Sequence, residues 1–149
     1  MSTNFVSQVT IDRVIAAMSE HGVELSDDPS GRVARCNLNG LHVLFVLLDT
    51  VLIVRADTHT DIAGDTPDAT LYLSANQINA SMISGRAIVV NKTKNLVIRT
   101  ESEVLVAAGL SDKQLSRACK NAVDAVIQAQ DAMKALSESM ATQREADKA

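Results

Sequence analysis

Aromatic residues are the scarcest class in this 149-residue sequence, which contains two Phe, one Tyr and no Trp. Single-stranded nucleic acids and sugars are usually bound by stacking on aromatic rings, so the shortage argues against both ligand classes. The formal net charge of −4 also argues against general nucleic-acid binding, because that binding requires concentrated positive charge. We therefore expect no nucleic acid among the partners.

Cysteines and long apolar runs are scarce as well. Cys36 and Cys119 are the only cysteines, they lie far apart, and no CxxC motif is present; isolated cysteines of this kind are usually plain buried thiols. The N-terminus shows no basic segment followed by an apolar run, as a secretion signal would. The run Leu41–Leu48 is too short for a membrane span and is broken by Asp49. These features predict a cytoplasmic protein that does not bind membranes.

The remaining composition is that of an ordinary globular protein, with 46% hydrophobic and 21% charged residues. A chain of this length forms one domain by default. We expect a single domain over residues 9–137, a flexible N-terminus over 1–8 and a flexible, polar C-terminal tail over 138–149.

Three helices are predicted from periodicity and capping signals. Thr10 precedes an amphipathic stretch that begins at Ile11, and Ser74 stands three residues before Gln77, which is the spacing of a capping box. Ser111 and Gln114 repeat that spacing at the start of the longest periodic stretch in the chain. The apolar stripe of this last helix consists of Leu115, Cys119, Ala122, Val126, Ala129, Met133 and Leu136.

Strands fill the segments between the helices. Asn39-Gly40 is a strong hairpin signal between the runs Arg32–Leu38 and Leu41–Leu48, and a third run covers Val51–Ala56. Two more strands are expected at Arg86–Lys92 and Leu96–Glu101, and residues 104–107 either continue the latter or form a short strand of their own. The order predicts an α+β fold in which helices pack on an antiparallel sheet.

The apolar strands need cover on both faces, and a homodimer interface is the economical way to provide it. The long helix either covers only its own sheet or also pairs with a second chain. The expected interaction surface combines sheet and helix residues: Val43, Phe45, Leu47, Val51, Ile53, Cys119, Val126 and Met133.

An acidic loop over residues 57–68 offers the sharpest candidate for chemistry. Asp57, His59 and Asp61 alternate in a way that could converge on a divalent cation. The register fails the calcium-loop template, however, because Gly64 falls at the eighth position and no Glu closes the loop. A solvated loop at a strand end is the commoner meaning of such a pattern. We expect no cofactor, and keep a small-molecule or metal-binding enzyme at this loop as the alternative function.

Four basic residues cluster on the second hairpin: Arg86, Lys92, Lys94 and Arg99. They could bind a phosphate or an acidic partner. Such charges also commonly protect a sheet edge from aggregation. No GxSxG motif or comparable catalytic signature is present in the sequence, so the leading expectation is a non-enzymatic protein.

Several short motifs, in this order and spacing, resemble the YbjN family of small bacterial proteins, over about Val9–Leu136. They are Ala75-Asn76-Gln77-Ile78-Asn79, Gly85-Arg86, Ala108-Gly109-Leu110-Ser111 and Gln114-Leu115. The resemblance implies a fold similar to type III secretion chaperones, a class that often forms homodimers and binds protein segments. It also implies a role as a sensory transduction regulator, and brings no catalytic residues. Whether Asn76 and Asn79 pack locally or contact a ligand stays open at this point.

Overall fold

The computed structural model describes residues 5–148 and contains one six-stranded sheet and three helices. The elements are α1 (Ile11–Ser19), β1 (Ser26–Asp27), β2 (Val33–Leu38), β3 (Leu41–Leu47), β4 (Val51–Ala63), α2 (Thr70–Ser81), β5 (Arg86–Val90), β6 (Asn95–Leu105) and α3 (Asp112–Asp147). The strand order is β1-β2-β3-β4-β6-β5, and every neighbouring pair is antiparallel. The predicted α+β class is confirmed.

Local capping determines where the helices begin. The reciprocal capping box between Ser111 and Gln114 opens α3, and the Thr10 hydroxyl accepts the Arg13 N–H at the start of α1, both as predicted. The prediction for α2 was wrong by one turn. Ser74 lies inside the helix, where its hydroxyl donates to the Thr70 carbonyl, and the Asp68 carboxylate accepts the Thr70 N–H instead.

All three helices pack against one face of the sheet. Phe45, Leu52 and Val54 point from the central strands into the core, and the α3 stripe covers them from the other side. The polar side chain of Gln130 is buried between α3 and the sheet. Its amide nitrogen donates to the carbonyls of Ala56 and Ile98, at 3.1 and 3.2 Å, and its oxygen accepts the Thr58 hydroxyl at 2.8 Å. Helix α3 is thus joined to β4 and β6 by hydrogen bonds as well as by apolar packing.

Strand β4 is longer than predicted and takes up half of the expected acidic loop. It continues to Ala63, because the polar residues beyond Ala56 find partners on the sheet and on α3. The Thr60 hydroxyl donates to the Leu96 carbonyl at 2.7 Å, just as Thr58 bonds to Gln130. Strand β6 likewise runs without interruption to Leu105, so of residues 104–107 the first two continue it and the last two lie outside any strand.

Within residues 5–148, both ends of the chain contact the rest of the fold. Ser7 and Leu110 form an isolated antiparallel bridge, whereas residues 1–4 of the expected flexible N-terminus lie outside the described residues. The prediction ends the last helix near Leu136, but α3 continues to Asp147. Arg144 forms an ion pair with Asp68 and a hydrogen bond to the Thr70 hydroxyl, which connects this extension to α2. Across residues 5–148, no helix is both long and apolar enough to cross a membrane.

Candidate interaction surface on the open face of the sheet

The face of the sheet opposite the helices carries a continuous apolar strip. Val33 pairs with Val46 and Val46 pairs with Ile53 across β2, β3 and β4, so the three side chains lie side by side. We call this surface the open face. On β2, β3, the first half of β4 and the end of β6, its apolar members are half-buried, except for Leu105, whose side chain is 78% exposed; they are Val33, Leu44, Val46, Val51, Ile53 and Leu105.

Five residues of the expected interaction surface lie instead in the core of the chain itself. They are Val43, Phe45, Cys119, Val126 and Met133, all at most 1% exposed. Successive residues of a strand point to opposite faces, so an apolar run divides between core and open face, and the prediction treated it as one surface. Leu47 packs against the same core. Val51 and Ile53 are the two expected residues that lie on the open face.

Cys119 in the helix stripe is a buried thiol, as predicted. Burial raises the pKa of the Cys119 thiol to about 12, so the nucleophilic thiolate is scarce at neutral pH. Burial also raises the pKa of the half-buried Cys36 thiol. The stripe packs on its own sheet, and whether the long helix also pairs with a second chain stays a prediction.

An ion-pair network crosses three strands beside the apolar strip. Glu101 on β6 is only 3% exposed and accepts hydrogen bonds from Arg55 on β4, at 2.6 Å, and Arg86 on β5, at 2.9 Å. Arg86 also reaches Glu103 at 3.2 Å. Burial raises the pKa of the Glu101 carboxyl, but the hydrogen bonds from Arg86 and Arg55 outweigh it and hold that pKa below its ordinary value. Glu101 is thus ionised and paired at neutral pH.

The expected acidic metal candidates do not converge. Asp57 lies on the open face of β4 and accepts two hydrogen bonds from Arg99 across the strand pair, at 2.8 and 2.9 Å. His59 and Asp61 follow on the same strand and are exposed. Among residues 5–148, no group of three or more His, Cys, Asp and Glu side chains could hold a metal ion. Asp57 and Arg99 therefore form an ion pair that connects β4 and β6.

The four basic residues expected to bind an anion are separated in the structure. Arg86 and Arg99 are paired with Glu101 and Asp57 on the open face, whereas Lys92 and Lys94 lie exposed in the turn between β5 and β6. The pKa values of both arginines are raised, chiefly by their hydrogen bonds to these carboxylates. The two guanidinium groups are thus already neutralised by neighbouring strands.

Sequence reasoning missed the residues that do form the open face, Val33, Leu44, Val46 and Leu105. The signal that could have found them is strand alternation, since each is two residues from another member or directly opposite one. Glu101 and Arg55 were missed as a pair because only the register of β4 on β6 brings them together.

Several proteins of known structure share this fold. The structure of YbjN from E. coli, described as "a putative transcription regulator", matches with a TM-score of 0.63 and 16% identity, over 93% of this chain and 97% of that one. ExsC, solved in the ExsC-ExsE complex, matches with a TM-score of 0.57 and 18% identity, over 87% and 97%. An uncharacterized protein from Methanothermobacter thermautotrophicus matches with a TM-score of 0.52 and 13% identity, over 85% and 97%. The predicted likeness to the type III secretion chaperone fold is confirmed.

At the level of sequence, no curated protein matches the chain significantly. A family model does match, over residues 10–135, and its description is "Putative bacterial sensory transduction regulator". This match spans most of the sequence and agrees with the motifs at Asn76, Arg86 and Ser111. The chain therefore belongs to the YbjN family.

Proposed function

We propose that this chain is a non-enzymatic protein-interaction domain, chaperone-like or regulatory, that acts as a homodimer in the cytoplasm. The observation that carries the proposal is the apolar strip Val33–Val46–Ile53 on a sheet face that no helix among residues 5–148 covers. Contiguous apolar surface rimmed by charged groups is typical of protein interfaces. Membership in a family of regulators and the fold shared with ExsC support the same role.

The second copy is the proposed cover for this strip. A two-fold axis through the open face would place the strip of one copy on the strip of the other, as an isologous interface requires. The ion pairs Arg55–Glu101 and Asp57–Arg99 flank the strip and are already satisfied within one chain. They would form a polar rim that does not need to break when the copies meet. Residues 9–137 are the proposed interaction domain.

The test is the solution mass of the wild type, measured by light scattering after size exclusion at low micromolar concentration. Ile53→Asp places a charge in the centre of the strip and should convert a dimer to a monomer, because a buried unpaired carboxylate is costly. His59→Asp is the matched control, since His59 is exposed on the same strand outside the strip. A wild-type monomer, or equal effects of both variants, would overturn the proposed dimer.

A further inference from the structure

The end of β6 is uncovered on one side. Strand β5 pairs with β6 only from Val97 to Glu101, whereas β6 continues to Leu105 and stays paired with β4 over that stretch, with Val51 opposite Leu105. We propose that this uncovered segment, Ser102–Leu105, binds an extended segment of a partner protein as an additional strand. The inference rests on the proposed function, since it assumes that the chain binds protein, and it adds the site and the chemistry of the partner.

The backbone groups at this edge point into the gap. The Val106 N–H donates to the Thr50 carbonyl at 3.0 Å, on the side of β4. Backbone groups alternate in direction along a strand, so those of Glu103 and Leu105 point away from β4, toward the place where β5 would have continued. Within residues 5–148, neither group takes part in a turn, loop or side-chain hydrogen bond. Free edge groups of this kind are what a partner strand pairs with.

The chain before β5 leaves the gap free because it turns toward the helix side. The hydroxyl of Ser102, a core-facing residue, donates to the Ser84 carbonyl at 2.6 Å. The chain at Ser84 therefore lies on the helix side of the sheet. A Cβ placed on Gly85 would lie 3.4 Å from the Glu101 carbonyl oxygen and 3.5 Å from that of Ala125, so the backbone passes closely between β6 and α3.

A cleft of about 460 Å³ lies between this edge and α3. Ile83 is one of its lining residues, and Ala118 and Ala122 of α3 form part of its wall. These small side chains leave room for an inward-facing side chain of the partner strand. Ile83 is fully exposed in the isolated chain and would gain apolar cover from such a strand.

The side chains at the edge specify the chemistry of the partner. Leu105 is 78% exposed, and Glu103 is half-exposed with one basic contact, Arg86, whose hydrogen bonds go to Glu101. In an antiparallel pairing, the partner would place an apolar residue opposite Leu105, then a small apolar residue facing α3, then a basic residue opposite Glu103. A second copy of the same edge fits less well, because the two Glu103 carboxylates would lie close together.

The test uses a synthetic nine-residue peptide with Leu-Ala-Arg at its centre and uncharged polar flanks. It is titrated into the isotopically labelled full chain while backbone amide signals are followed by NMR. We expect saturable shifts centred on Glu103 and Leu105. Leu105→Pro should weaken binding by roughly two- to tenfold, because it removes one edge N–H without removing a β4 hydrogen bond. Leu105→Thr retains that N–H and is the matched control.

A charge exchange provides a second measurement, independent of how proline is tolerated. Glu103→Lys should weaken binding of the Arg peptide and strengthen binding of a Leu-Ala-Glu peptide, each by about two- to fivefold. Shifts centred on Val46 and Ile53, or shifts insensitive to Leu105→Pro and Glu103→Lys, would overturn the edge site. No saturable shift would overturn it as well. The light-scattering result for Ile53→Asp decides the proposed function separately from either outcome.

Discussion

Asn79 and Ala87 are joined by two reciprocal hydrogen bonds: the Asn79 amide nitrogen donates to the Ala87 carbonyl, and the Ala87 N–H donates to the Asn79 amide oxygen, both at 2.8 Å. The Ala87 backbone groups point away from β6, and because β5 is the outermost strand on its side of the sheet, they have no strand partner within residues 5–148. The carboxamide of Asn79 serves as that partner and attaches α2 to the edge. Asn79 therefore has a structural role, whereas the Asn76 side chain forms no hydrogen bond within residues 5–148.

Asn79→Ala should lower the free energy of unfolding by about 1–3 kcal/mol, because it leaves a backbone donor and acceptor unsatisfied at a part-buried edge. Asn76→Ala, three residues earlier on the same helix, should change it by less than about 0.5 kcal/mol. Urea denaturation of both variants measures the difference. Equal losses would show that the paired hydrogen bonds do not contribute to stability.

The two faces of β3 and β4 should differ in their sensitivity to truncation. Phe45→Ala should cost about 3–5 kcal/mol, because Phe45 is fully buried in the core. Ile53→Ala on the open face should cost the isolated chain about 1 kcal/mol. Urea denaturation over a range of protein concentrations checks this. If the strip forms the dimer interface, the loss in free energy of unfolding caused by Ile53→Ala should increase with protein concentration. The loss caused by Phe45→Ala should not depend on concentration in this way.

The ion pairs of Glu101 should make stability pH-dependent. The pKa of Glu101 is lowered in the folded chain from its ordinary value of 4.5, so its stabilisation is complete above that pH and is lost as the pH falls through the folded value. Glu101→Gln should therefore cost about 1–3 kcal/mol at pH 7, and the gap to the wild type should narrow below about pH 4.5.

The control for that comparison is Glu138→Gln, because Glu138 is exposed on α3. Its free energy of unfolding should follow the wild type across the whole pH range. A constant gap between the wild type and Glu101→Gln from pH 7 to pH 3 would mean that the carboxylate charge is not what stabilises the network.

The C-terminal extension of α3 should depend on Arg144. Arg144→Ala removes its ion pair with Asp68 and its contact with Thr70, so we expect faster amide exchange over residues 138–147 and in the first turn of α2. Lys134→Ala, at an exposed position of the same helix, should leave exchange unchanged. Protection lost equally in both variants would argue against the contact.

The contact between Arg144 and Asp68 should persist to low pH. Hydrogen bonds from Thr70 and Arg144 lower the pKa of Asp68 to about 2. A lowered carboxyl pKa means that the interaction is present above the ordinary value and is lost as the pH falls through the folded one. Exchange protection near Asp68 should therefore persist at pH 4 and decline only as the pH approaches 2.

Local signals were read correctly from the sequence because their partners lie within a few residues. The capping box at Ser111 and the hairpin at Asn39-Gly40 are examples. The same spacing misled at Ser74, since a Ser and a Gln three residues apart also occur inside a helix, where the hydroxyl can bond to the preceding turn. The pattern identifies a pair of residues but not which turn of the helix they occupy.

The ion pairs of the open face could not be predicted because they depend on the register between β4 and β6, which are distant in the sequence. Asp57 looked like part of an acidic loop, but Arg99 lies opposite it only once β4 and β6 are aligned. Thr58 looked like a loop residue for a similar reason, since its partner Gln130 lies on the last helix. Polar strand residues with remote partners cannot be distinguished from loop residues by composition.

Gln130 also limits how α3 can sit on the sheet. A stripe built from Ala122, Val126 and Ala129 is nearly uniform along the helix, and its packing alone would tolerate a slide of one turn or a modest rotation. The carboxamide must face Ala56, Ile98 and Thr58 at the same time, and any displaced position would bury it without partners. One polar side chain thus gives a nearly featureless helix a single axial and rotational position.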